Sequence, residues 1–163
     1  MLDSLSLWLH ETPLGETLLT MLISMLPVVE LRGGLPAGVA MGLPIPVAFI
    51  ASLVGNMIPV PFIIVFIRRI LGWMARRGGK LGKIAAFVER HAHKKLEIYR
   101  KYEMLGLFIL VAIPLPGTGA WTGALIAGLR DLRLRYALPV IGAGVAAAGI
   151  IMLALSHGVA VIF

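Results

Sequence analysis

The chain has 163 residues, 59% of them hydrophobic and 14% charged, where an ordinary soluble domain is roughly 45–50% apolar and about 25% charged. These figures exclude a water-soluble globule, and equally a disordered chain, which needs low hydrophobicity and high net charge. The net charge is +7 and there is no cysteine, so disulfide frameworks, thiolate metal sites and cysteine nucleophiles are excluded too.

Residues 1–16 carry Asp3, Glu11 and Glu16 without Lys or Arg. They lack the basic start of a cleavable signal peptide, and Leu2, Leu5, Trp8 and Leu9 suit a short interfacial helix on the extracytoplasmic side. An apolar arm from Thr17 to Leu26, a broken tip from Pro27 to Gly34 and a second arm from Leu35 to Leu43 then read as a re-entrant hairpin over 17–43. After the Pro44-Ile45-Pro46 turn, a transmembrane helix is expected over 47–67, inside an uncharged run longer than the roughly 20 residues that cross a hydrocarbon core. Its Ala48, Ser52, Gly55 and Pro59 form a row suited to close helix packing. The lone amide of Asn56 reads first as an interhelical hydrogen bond and second as a ligand group.

Eleven of the fifteen cationic side chains fall between Arg68 and Lys101, and three more between Arg130 and Arg135. Such clusters can mark nucleic-acid binding, but beside membrane-length runs they mark the cytoplasmic side, and no nucleic-acid partner is expected. Within the basic linker 68–103, Leu81, Ile84, Ala85, Val88, Ala92, Leu96, Tyr99 and Tyr102 recur at helical spacing. This amphipathic helix reads as lying on the anionic inner leaflet rather than as a solvated linker.

With both basic clusters cytoplasmic, the 26 uncharged residues 104–129 must leave that face and return to it. Pro114, Pro116, Gly117 and Gly119 in their middle do not continue a helix, so the segment reads as a second re-entrant hairpin. A second transmembrane helix is expected over 136–161, with Gly142, Ala146 and Gly149 as its packing row. Pro27 and Pro114 lie 87 residues apart, and the span starts Val47 and Tyr136 lie 89 apart. One crossing separates the halves. The plan is therefore an inverted repeat of re-entrant helical hairpin plus transmembrane helix, an architecture of transporters with discontinuous helices. The expected fold class is an all-α integral membrane protein, a single membrane domain over 1–163, with a cytoplasmic amphipathic helix.

Glu30 and Arg32 are the ionisable side chains expected near the bilayer middle, where a charge costs about 2.5 kcal/mol or more and is functional by default. The bland alternative is that they pair and hold the hairpin tip. Pro36 suits the first turn of a helix, and Thr118, between Gly117 and Gly119, suits an N-cap. Two helix N-termini would result, each a ready anion site, to which Arg32 adds a full charge. Glu30 is compatible with an anion only when protonated, which suits a proton relay. Thr118 reads equally as a cap alone, and Trp121 and Thr122 as packing or as cavity lining.

Several motifs fail. Arg77-Gly78-Gly79-Lys80 lacks the Walker spacing, His91 and His93 point apart on a helix, and no Gly-x-Ser-x-Gly element occurs. No cofactor, no metal and no enzyme activity is expected.

Glu30-Leu31-Arg32-Gly33-Gly34-Leu35-Pro36-Ala37-Gly38, together with Pro114-Leu115-Pro116-Gly117-Thr118-Gly119-Ala120-Trp121-Thr122-Gly123-Ala124, resembles the paired signature of the small multidrug export protein family, a branch of the DedA superfamily. The resemblance covers nearly the whole chain. It implies a polytopic membrane protein with two re-entrant helices. In the wider superfamily it implies translocation of membrane lipids, including undecaprenyl phosphate, coupled to a cation gradient. Glu30 and Arg32 are the site residues it carries over. DedA proteins resemble one another in having arginines around a proline of the second motif; this chain has none between Met104 and Leu129, and Arg130, Arg133 and Arg135 lie beyond it.

The expectation is a multi-pass protein of the inner (cytoplasmic) membrane, with 68–103 and 130–135 in the cytoplasm and membrane lipids as partners. It would act as a transporter or flippase for an anionic lipid-phosphate or small amphiphilic substrate. The alternatives are proton-coupled export of cationic drugs through Glu30, and a non-transporting membrane scaffold. So small a bundle invites a homodimer to enclose a path.

Overall fold

The computed structural model describes residues 12–97, 103–115 and 117–162, and every regular element among them is a helix. Leu2, Leu5, Trp8 and Leu9 of the expected interfacial segment, Tyr99 and Tyr102 of the amphipathic face, and Pro116 lie outside the described residues.

Helix α1 (Pro13–Met25) begins with Pro13 in its first turn and the Thr12 hydroxyl accepting the Gly15 N–H at 3.1 Å. It stops at Leu26, which Pro27 holds extended. Helix α2 (Glu30–Ala40) starts well before the arm expected from Leu35, and Pro36 lies inside it rather than in its first turn. There the proline has no N–H for the Arg32 carbonyl one turn back. Helix α2 ends in a Schellman turn: the Gly42 N–H donates to the Val39 carbonyl and the Leu43 N–H to that of Gly38, both at 3.1 Å. Gly42 takes the left-handed φ of 105° that this turn requires.

Helices α3 (Ile45–Met57) and α4 (Pro59–Arg77) are interrupted only at Ile58. Together they make a 33-residue stretch, Ile45–Arg77, long and apolar enough to cross a membrane; it runs past the expected end at 67 into the basic segment. Helix α5 (Gly79–Glu97) buries Ala85 and exposes Leu81, Ile84 and Phe87. Helices α6 (Glu103–Ala112) and α7 (Ala120–Leu129) flank an interruption over 113–119. Helix α7 closes with the same turn as α2, the Leu132 N–H donating to the Ala127 carbonyl at 3.0 Å. Here Asp131 occupies the left-handed position, at φ 55°, and its carboxylate pairs with Arg68 on the surface. Helix α8 (Leu134–Ile162) contains the second membrane-length stretch, Leu134–Leu155.

The order hairpin, turn, long helix thus occurs twice: α6, α7 and α8 start 90, 90 and 89 residues after α1, α2 and α3. Close contacts recur with it. Gly34 lies against Ser24, and Gly55 so close to the main chain of Met21 that a Cβ would overlap its carbonyl oxygen. In the second half Gly123 lies against Val111, and Gly144 against Val111 and the Phe108 carbonyl.

Two compact units result. The first comprises residues up to Pro59 and those from Val145 onward, the second Val60–Gly144. Each therefore holds one hairpin, the near half of the long helix that follows it, and the far half of the other long helix. In the first unit Gly38 sits between Thr20 and Ala48, and Gly149 of α8 packs on Leu31 and Phe49. In the second, Gly128 packs on Ile64 and Ile67 of α4. Leu14, Leu18 and Leu22 are exposed one turn apart on α1, as are Phe62, Phe66 and Ile70 on α4. Faces this apolar suit lipid, not water.

Candidate functional site

Among the described residues the buried polar side chains are Thr20, Ser24, Glu30, Ser52 and Asn56, all in the first unit. Thr20 and Ser24 satisfy themselves as helical hydroxyls do, donating at 2.8 Å to the carbonyls of Glu16 and Thr20. Ser52 and Asn56, one and two turns beyond Ala48 on the same face of α3, are different: Ser52 Oγ and Asn56 Oδ1 have no hydrogen-bond partner. An unsatisfied buried polar group costs about 1–3 kcal/mol.

Glu30 and Arg32 lie in the first turn of α2, and the irregular backbone of the tip extends to Glu30 itself. Glu30 is buried and takes a φ of 51°, a left-handed conformation costing on the order of 1–3 kcal/mol in a residue with a side chain, of the kind that gathers at functional sites. Arg32 is half-buried and within electrostatic reach of the Glu30 carboxylate. The bare helix end expected as an anion site is partly closed by the turn before it, because the Glu30 N–H donates to the Leu26 carbonyl and the Gly33 N–H to that of Val29, each at 2.9 Å. The full positive charge at this helix end is the Arg32 guanidinium.

Gly117, Thr118, Gly119, Trp121 and Thr122 come together in the second unit, around the break between α6 and α7. Thr118 is not the helix cap: that position is Gly119, with no side-chain hydrogen bond. Instead the Thr118 hydroxyl ties the loop, approaching the carbonyls of Ile113 (2.8 Å) and Leu115 (2.7 Å) as donor and accepting the Leu115 N–H at 3.2 Å. The Thr122 hydroxyl donates to the Gly117 carbonyl at 3.1 Å. Both hydroxyls serve carbonyls that the broken helix no longer uses, and Trp121 is half-buried beside them. Arg133 and Arg135 are exposed, the latter stacked on Tyr136 at 4.7 Å.

The expected site residues therefore divide by unit: Glu30, Arg32 and Asn56 in the first, the loop residues in the second. Reading the sequence misses Ser52, which passes for a small packing residue. Setting the chain against itself at the repeat spacing finds it, since Ile141 and Val145 then stand opposite Ser52 and Asn56. No group of three or more His, Cys, Asp or Glu that could hold a metal ion occurs among the described residues.

Membrane-length helices, short helices with lipid-suited faces, and an acid–base pair in the first turn of an interrupted hairpin define a multi-pass, all-helical membrane protein of transporter type. Residues 30–151 match the family described as "Putative small multi-drug export protein". The match covers most of the chain, and the protein belongs to that family, whose members are described as exporters and not as an enzyme class. No curated relative and no solved structure matches it.

Proposed function

We propose that the protein is a secondary transporter of the cytoplasmic membrane that moves an anionic amphiphile, a lipid phosphate of the undecaprenyl phosphate kind, together with a proton carried on Glu30. The observation that carries this reading is the first turn of α2, where a strained, buried carboxylate and a half-buried guanidinium face one another's fields. Arg32 holds the anion, and Glu30 is protonated when the anion is bound and gives up its proton when it leaves. The paired helices α1–α2 and α6–α7 act as re-entrant hairpins of an inverted repeat. Their helices have 10 to 13 residues, reaching about 15–20 Å at 1.5 Å per residue, short of the roughly 30 Å of a hydrocarbon core. Segments 68–103 and 130–135 are cytoplasmic in this arrangement, and α5 lies on the inner leaflet.

A second reading, export of cationic drugs, draws on the family description and on Glu30 being more deeply buried than Arg32. Proteoliposomes separate the two. Under a pH gradient the wild-type protein is expected to translocate a fluorescent prenyl phosphate and to leave a lipophilic cation such as ethidium untouched; the reverse pattern selects drug export. Topology is tested with single cysteines in this cysteine-free chain. Leu105→Cys and Arg133→Cys, both at exposed positions, are expected to react with an impermeant maleimide from the same face, and labelling from opposite faces would discard the second hairpin.

A further inference from the structure

The two halves of the chain build one scaffold from different chemistry. By helix start Glu30, Ser52 and Asn56 correspond to Ala120, Ile141 and Val145; by the matching contacts of Gly34 on Ser24 and Gly123 on Val111, Ser24 and, one turn before it, Thr20 correspond to Val111 and Leu107. None of the ten is more than 4% exposed. Apolar side chains fill these positions in the second unit, so packing alone does not call for oxygen-bearing ones in the first.

We infer that the first unit contains a binding site for a dehydrated alkali cation, with Ser52 Oγ and Asn56 Oδ1 among its ligands. Both atoms are buried without a hydrogen-bond partner. A helical serine can always turn its hydroxyl to the carbonyl four residues back, as Ser24 does; Ser52 does not. The amide oxygen of Asn56 is acceptor-only, so what satisfies it is a donor or a cation.

The backbone adds an independent argument. Helix α3 ends at Met57, beside Asn56, and Pro59 has no N–H to give the Gly55 carbonyl one turn back. Ile58 keeps helical dihedrals, so the span bends there without ending, and the Gly55 carbonyl, deprived of its helical donor within the Ile45–Arg77 span, is an oxygen of the kind that coordinates alkali ions at membrane depth. At the corresponding place in the second half, α8 runs on past Val145 without a break. The donors are hard oxygens, with no group of three or more His, Cys, Asp or Glu among the described residues, which suits a monovalent ion and not a transition metal.

Equilibrium binding needs no substrate, so the inference stands beside the transport reading and not on it. The test uses the full-length protein purified in detergent with choline chloride as the reference salt. Adding NaCl, LiCl or KCl is expected to raise the melting temperature saturably for at least one of them, and radioactive sodium to bind and be displaced by unlabelled alkali ions. Asn56→Val and Ser52→Ile, each copying the corresponding residue of the second half, are expected to weaken binding more than about tenfold, with Asn56→Val melting in choline no lower than wild type. Ser52→Ala guards against crowding by the larger side chain, and the same loss of binding is expected from it. The inference is overturned if all three alkali salts leave the wild type melting as it does in choline, or if Asn56→Val and Ser52→Ala keep the cation response. Loss of transport with binding intact would count against the transport reading alone.

Discussion

Arg32→Gln is expected to reduce transport of an anionic amphiphile in proteoliposomes by about 10- to 100-fold, with Arg32→Lys retaining an intermediate rate. The size follows from losing one charge-assisted contact, about 1.5–3 kcal/mol, and the intermediate rate from a lysine keeping the charge without the planar fork. Glu30→Gln is expected to behave differently. It should still bind and exchange substrate across the membrane, since a neutral side chain imitates the protonated acid, but net transport driven by a pH gradient should vanish. The measurement is the pair of assays, exchange and gradient-driven uptake, on protein whose melting temperature matches the wild type. Wild-type rates for Arg32→Gln would end the anion reading, and loss of cation export in Glu30→Gln alone would install the drug-export one.

Gly55→Ala is expected to cost about 3 kcal/mol or more, at or beyond the upper end of what overpacking usually costs. The new Cβ would meet the carbonyl, Cα and carbonyl carbon of Met21, main-chain atoms that cannot turn aside. Gly144→Ala should cost less, because its contacts are longer, Val111 Cβ and Cγ1 at 2.7 and 2.9 Å and the Phe108 carbonyl oxygen at 3.2 Å, against 2.3 Å to the Met21 carbonyl oxygen for Gly55. Gly72→Ala provides the control: nothing approaches within 4 Å, so removing a helical glycine there should stabilise by about 0.5–1 kcal/mol. Thermal unfolding in detergent ranks the three, and equal melting of Gly55→Ala and Gly72→Ala would refute the close helix approach.

The sequence carries the helical class and the order of elements plainly. Uncharged runs, Pro27 and the Pro114–Gly119 cluster mark where helices run and where they stop, because those signals are local. The start of α2 is not legible. Nothing in the residue type announces that Glu30 takes a left-handed φ, and Pro36, a natural first-turn residue, is carried inside the helix instead. Thr118 misleads for a related reason: beside two glycines a hydroxyl has a choice between the helix end and the loop carbonyls, and the fold decides. The polar core is half legible. A charged residue in an apolar run stands out, as Glu30 and Arg32 do, whereas Ser52 looks like any small residue until its apolar counterpart, Ile141, is set against it.

The borrowed far half of each long helix has a consequence for biosynthesis. Leu31 and Phe49 receive their partner Gly149 only from the closing part of the chain. At about 5–20 residues per second, the first hairpin therefore waits on the order of ten seconds beside the ribosome, its inner face covered by lipid or by the insertion machinery. The first unit to be synthesised is completed last, and a ribosome halted before Val145 leaves it without a side.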